Sequence, residues 1–111
     1  MLINFDQIPE TVVPNMRGGE GQVVSRMHVD ENIKIARGFL APGCTIGLHT
    51  HETSSEVICI LSGTGKVLCD GVYELLSAGS VHYCPKGHAH SLINDSEGDL
   101  TYFAVIPEHG A

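Results

Sequence analysis

Turn-forming residues interrupt this chain so often that a long helix has no room to form. Pro9, Pro14, Gly18, Gly19 and Gly21 break the first 21 residues. Asp30-Glu31-Asn32, Ala41-Pro42-Gly43, Asp70-Gly71, Pro85-Lys86-Gly87 and Asp95-Ser96-Glu97-Gly98-Asp99 break the remainder. The runs between them are short, apolar and rich in β-branched residues, and none holds a 3.6-residue period over ten positions. The pattern predicts strands over Gln22–Val29, Ile33–Leu40, Glu56–Leu61, Lys66–Cys69, Val72–Leu76, Ser80–Cys84, His90–Ile93 and Leu100–Ile106. Asp70-Gly71, between two of these, is the strongest hairpin signal in the chain. Short strands with turns at such intervals define an all-β sandwich or barrel.

At 111 residues the chain fits one domain with a modest core. Residues 1–21 read as an arm without a core of its own, packing on the barrel or on a partner subunit, and residues 22–111 as the barrel domain. Six basic residues stand against thirteen acidic ones, a formal charge of −7, with no cluster of Lys or Arg. That balance argues against nucleic acid and anionic membrane surfaces as partners. No apolar run approaches the roughly eighteen residues of a membrane span. Nor does a basic, apolar leader open the sequence, so secretion is not indicated. Cys44, Cys59, Cys69 and Cys84 are isolated and read as reduced thiols of a cytoplasmic protein. Asn94-Asp95-Ser96 matches a glycosylation acceptor, which has no consequence in such a chain.

Five of the seven histidines fall between His49 and His90. His49 and His51, two residues apart on a strand, project from the same face. A polar turn, Glu52-Thr53-Ser54-Ser55, then leads to Glu56 at the head of an apolar strand. If that turn folds back, two imidazoles and one carboxylate surround a single point, a donor set for iron, nickel or zinc. His-Thr-His alone reads equally well as a polar patch on a half-exposed strand. A carboxylate heading an apolar run is harder to leave unpaired, because burying it alone is costly. In Gly79–Asn94, Pro85 and Gly87 mark a bend that delivers His90, a distant imidazole able to complete the same site. Three imidazoles and one carboxylate would leave two positions open on a six-coordinate metal, as a catalytic or ligand-binding centre needs.

The first stretch has the form G-x5-H-x-H-x4-E-x6-G, filled by Gly43, His49, His51, Glu56 and Gly63. The second has the form G-x5-P-x-G-x2-H-x3-N, filled by Gly79, Pro85, Gly87, His90 and Asn94. These resemble the two signature motifs of the cupin superfamily, separated by the short spacer of its small single-domain microbial members. The resemblance implies a double-stranded β-helix, or jelly-roll barrel, with one divalent ion such as iron, manganese, nickel, zinc or cobalt. It implies His49, His51, Glu56 and His90 as the metal ligands, and Asn94 as a structural hydrogen-bonding residue. Gly43, Gly63, Gly79 and Gly87 become turn or close-approach positions, and a homodimer becomes the expected assembly. Ser80 departs from the Asp that many members carry there.

The resemblance does not fix a reaction. Arg37 shares a strand face with Ile33, Ile35 and Phe39; turned inward, it could clamp a carboxylate, and turned outward it reaches the rim. His82 and Tyr83 are acid–base candidates on opposite faces of Ser80–Cys84, and alternation leaves open which face looks inward. His88 lies in the bend, where exposure is expected, and Tyr102 reads as core. Two classes of function remain. One is a metal-dependent enzyme acting on a small polar metabolite, carboxylate-bearing if Arg37 turns inward, by isomerase, lyase or dioxygenase chemistry. The other is a non-catalytic small-molecule-binding or sensor protein.

Overall fold

In the computed structural model, which describes residues 1–110, ten antiparallel strands form two sheets. They are β1 (Thr11–Pro14), β2 (Gln22–Val29), β3 (Ile33–Leu40), β4 (His49–Thr50) and β5 (Glu56–Ser62). β6 (Thr64–Cys69), β7 (Val72–Ser77), β8 (Val81–Cys84), β9 (Ala89–Ile93) and β10 (Leu100–Pro107) complete the set. One sheet has the order β1-β2-β3-β10-β5-β8 and the other the order β4-β9-β6-β7. The chain is therefore all-β, as its turn spacing predicts, and its two sheets form the jelly roll that the resemblance implies. Inward positions of both sheets build the core, with Val23, Leu40, Ile58 and Ile60 from one side and Val67, Leu76 and Leu92 from the other. Asp70 and Gly71 both hold positive φ, at +49° and +82°, as a two-residue type I′ hairpin between β6 and β7 requires.

Strand positions match the turn-bounded runs closely, with two differences. β4 is only two residues long. Thr11–Pro14, inside the segment read as an irregular arm, forms β1 and pairs with β2 from Thr11↔Ser25 to Pro14↔Gln22. Proline is tolerated there because β1 lies at the sheet edge, where a missing N–H breaks no ladder.

The orientation of β3 is the reverse of the one that would put Arg37 inside. Ala36, Gly38 and Leu40 face the interior, whereas Ile33, Ile35, Arg37 and Phe39 lie on the half-buried outer face. Arg37 meets Asp6 at 3.2 Å and lies over the Phe5 ring, so the N-terminal segment covers it. At Gly38 the inner position is small for a steric reason: Tyr102 pairs opposite it, and a Cβ there would come within 2.9 Å of the tyrosine hydroxyl. Apolar residues move to the outside instead, where Phe5 packs edge-on against Phe103.

Candidate metal centre

Pairing of β4 with β9 sets His49 directly opposite His90, which brings together two imidazoles 41 positions apart in sequence. The chain after β4 is held by hydrogen bonds from His51 N–H to the His88 carbonyl (3.0 Å) and from Gly87 N–H to the His51 carbonyl (2.6 Å). It then turns, and Ser55 N–H bonds to the Pro107 carbonyl (3.2 Å) as β5 begins at Glu56. The result is one cluster: donor atoms of His49, His51, Glu56 and His90 all lie within 4.8 Å of one another. His51, Glu56 and His90 are buried, and His49 is half-buried.

Each imidazole is fixed at its other nitrogen. His49 Nδ1 lies 2.8 Å from the Gly47 carbonyl, His51 Nδ1 2.8 Å from Ser54 Oγ, and His90 Nδ1 3.0 Å from His82 Nε2. A carbonyl can only accept, so His49 carries its proton on Nδ1 and its Nε2 is a bare donor to a metal. His51 Nε2 and His90 Nε2 approach to 2.9 Å, and both converge on Glu56 Oε1 at 3.1 and 2.9 Å. Nitrogen lone pairs and a carboxylate repel at such distances unless a proton or a metal cation lies among them. Separations of this size suit ligands sharing one ion with bonds of about 2.1 Å. The donor set fits a divalent transition metal.

Electrostatics prepare these groups for that role. Burial pushes the Glu56 carboxyl up, but with no metal bound, hydrogen bonds from Nε2–H of His51 and His90, with their charge, outweigh it and hold the group at about 2, and a metal would take the place of those protons. Glu56 is therefore anionic at any ordinary pH. Burial holds His49 below its usual range despite the Gly47 carbonyl, so proton competition at this ligand is deferred below neutral pH. Cys84 sits opposite Glu56 in the β5–β8 register, but burial pushes its thiol up to about 12, which rules out a ready thiolate ligand.

The centre opens on a cavity of about 780 Å³ lined by His49, His51 and Glu56. Ser25, Met27, Ala36, Tyr102 and Ala104 contribute the barrel side of this cavity, with Arg17, Lys34, Glu52 and Glu108 adding charge. The Tyr102 phenol is held protonated well above its usual range by burial and by the Glu56 charge. It is thus both core and cavity wall.

Arg17 reaches the cavity from the 3-10 turn Met16–Gly18, where its own backbone is left-handed (φ +54°, ψ +28°). Gly47 N–H bonds to the Met16 carbonyl (3.0 Å), and Thr45 N–H to the Glu20 carbonyl (2.9 Å), so this turn is laced to the β3–β4 connection. Glycine is required at the crossing: a Cβ on Gly47 would lie 2.1 Å from the Arg17 carbonyl oxygen.

The remaining sequence candidates separate clearly. His82 and Cys84 face inward on β8, whereas Val81 and Tyr83 face out, with Tyr83 58% exposed on the outer face. His82 is buried behind His90 and does not line the cavity. His88 is exposed and pairs with Asp70. Arg17, which lines the cavity, and Glu74, which contacts His82, carry no local sequence signal, and only the folded register brings them in; Ser54 lies in the polar turn three residues after His51.

A small two-sheet β-barrel with three imidazoles and a carboxylate converging at its cavity carries a group that could hold a metal ion. The comparisons agree: a Cupin domain model matches residues 37–106, and the chain belongs to the cupin family. It is 34% identical to an oxalate-binding protein of Thermotoga maritima over 96% of this chain and 93% of that one. A crystal structure of a predicted oxalate decarboxylase from Thermotoga maritima superposes with a TM-score of 0.90 at 32% identity, covering 97% of this chain and 99% of that chain. A Cupin 2 conserved barrel domain protein from Salinispora arenicola shares the fold, with a TM-score of 0.71 at 21% identity over 97% and 88% of the two chains.

Proposed function

We propose that this chain holds one divalent transition metal through His49, His51, Glu56 and His90 and takes a small dicarboxylate of the oxalate class onto it. The observation that carries this reading is the converging donor set opening on a cavity whose wall also holds Arg17 and Lys34. The likeness to an oxalate-binding protein supports it. The ion, when bound, supplies Lewis-acid polarisation of a coordinated carboxylate. Arg17 offers the planar fork that matches a free carboxylate in two parallel hydrogen bonds, and Lys34 adds a second cation. Tyr102, held protonated, donates a hydrogen bond from the wall. Arg37, on the outer face, plays no part in this pocket.

Titration calorimetry of metal-loaded protein with oxalate, malonate and a neutral sugar tests the reading. Oxalate binds and the sugar does not, stripping the metal abolishes the heat, and Arg17→Ala weakens oxalate by about tenfold, the worth of a charge-assisted hydrogen bond. Arg17→Lys, which keeps charge but not the fork, falls between. A preference for the sugar would overturn the assignment.

Two readings of the bound ligand differ in class. None of His82, Tyr83 and Arg37 lines the cavity, which favours holding the ligand without turnover. Tyr102 on the cavity wall favours the second reading, a metal-dependent enzyme of isomerase, lyase or dioxygenase type. Oxalate consumption, followed with each candidate metal in turn, separates them.

The assembly we propose is a homodimer acting in the cytoplasm, where the four free cysteines stay reduced. No helix among the described residues is long and apolar enough to cross a membrane. Support for the dimer comes from the outer face of the six-stranded sheet, where Ile35, Val57, Phe103 and Val105 are only half-buried and Val81 is 66% exposed. A sheet face left to water is usually polar. Light scattering on the eluting protein is expected to give twice the 11.9 kDa chain mass, and Phe103→Glu to give one.

A further inference from the structure

His82 is the one buried imidazole outside the metal cluster, and a chain of hydrogen bonds runs through it. Its Nδ1 lies 2.7 Å from Glu74 Oε1, and its Nε2 lies 3.0 Å from His90 Nδ1. The two rings stack with centroids 5.2 Å apart and an interplanar angle of 28°. His82 and His90 are 2% and 1% exposed, whereas the Glu74 side chain is 47% exposed. Glu74 belongs to β7, the edge of the four-stranded sheet, and His82 to β8, the edge of the six-stranded one. The contact therefore closes the seam between the sheets and ends on a metal ligand.

We infer that Glu74 and His82 are positioning residues that fix which nitrogen of His90 is available to the metal; this inference rests on the metal-centre reading above. A carboxylate only accepts, so the proton of a neutral His82 is on Nδ1, donated to Glu74. That leaves His82 Nε2 bare, able to accept from His90 Nδ1–H and from nothing else nearby. His90 then has its proton on Nδ1 and a bare Nε2 directed at Glu56 and His51, where an ion binds. A surface carboxylate on one sheet thus selects a tautomer at a buried centre through one intervening imidazole. An outer partner of this kind also fixes ring orientation and makes the ligand nitrogen more basic. The other two ligand histidines need no such chain, because Gly47 and Ser54 serve them locally.

Cobalt(II) is the probe, because its visible absorption reports both occupancy and ligand geometry. Wild-type protein binds about one ion per chain; failure here would sink the metal-centre reading itself and not the relay alone. His82→Leu fills similar space without an acceptor and is expected to lose roughly ten- to a hundredfold in cobalt affinity, with a changed spectrum. His82→Gln, whose amide oxygen can accept from His90 Nδ1–H, is expected to recover most of that loss. Glu74→Ala, on the surface where folding is not at stake, is expected to weaken cobalt by a few-fold, and Glu74→Gln by less. Should His82→Leu fail to fold, the Glu74 pair decides the matter. Unchanged cobalt affinity and spectrum in Glu74→Ala and in a folded His82→Leu would overturn the inference, as would His82→Gln binding no better than His82→Leu.

Discussion

Replacing His90 with alanine is expected to lower metal affinity by on the order of a hundredfold or more, since loss of an outer partner alone costs ten- to a hundredfold. His90 carries more of the centre than its one bond implies. It pairs with His49 across β4 and β9, contacts His51 and Glu56 at 2.9 Å, and donates from Nδ1–H to His82 at the head of the hydrogen-bond chain. His49→Ala and His51→Ala should each cost well over tenfold on the same scale. Metal analysis after dialysis against a weak chelator checks all three. Full occupancy retained in any two of these variants would show that the ligands are assigned wrongly.

Glu56→Gln has its largest expected effect on acid stability, and it is visible without any metal. The folded carboxyl titrates at about 2 against 4.5 for an ordinary glutamate, so the folded state favours the ionised form. The stabilisation this gives is fully present above pH 4.5 and is lost as pH falls through the folded value near 2. Its size is about 3 kcal/mol, at 1.4 kcal/mol per pH unit of difference. Urea unfolding of metal-free wild type and variant should therefore differ by about that amount at neutral pH and converge in strong acid. Curves separated equally at every pH would mean that the histidine contacts do not hold the charge. The same substitution removes the only anionic ligand and so should weaken metal binding too.

The cluster was largely legible because three of its four donors are local. His49, His51 and Glu56 span eight residues, and strand alternation and one polar turn suffice to juxtapose them. His90 was different: nothing short-range links it to His49, and only its place in a familiar pair of motifs, then the β4–β9 register, connected them. The alternation in β3 separated two faces correctly but could not say which was inner. Hydrophobicity pointed to the face with Ile33, Ile35 and Phe39, yet a barrel with a cavity needs small inner residues, and Ala36 and Gly38 occupy those positions. The same ambiguity left the direction of His82 open, and its inward side follows from its pairing with the buried Ile58 across β5 and β8. Arg17 and Glu74 were beyond reach for a simpler reason. Their partners lie on chain segments that meet only after both sheets close.

The crossing at Gly47, where the Arg17 turn is laced against the β3–β4 connection, separates two tasks along the chain. The four candidate metal donors lie within residues 37–106, the span the family model matches, while Arg17, which lines the pocket, lies twenty residues upstream of it. Substitutions in that upstream turn can exchange the charge and shape offered to a visitor while every donor atom stays in place. Descent could thus retune what such a barrel accepts by rewriting a peripheral loop, leaving the inherited centre untouched. For the experimenter the corollary is practical: trimming this chain to residues 37–106 would remove Arg17 along with the first two strands.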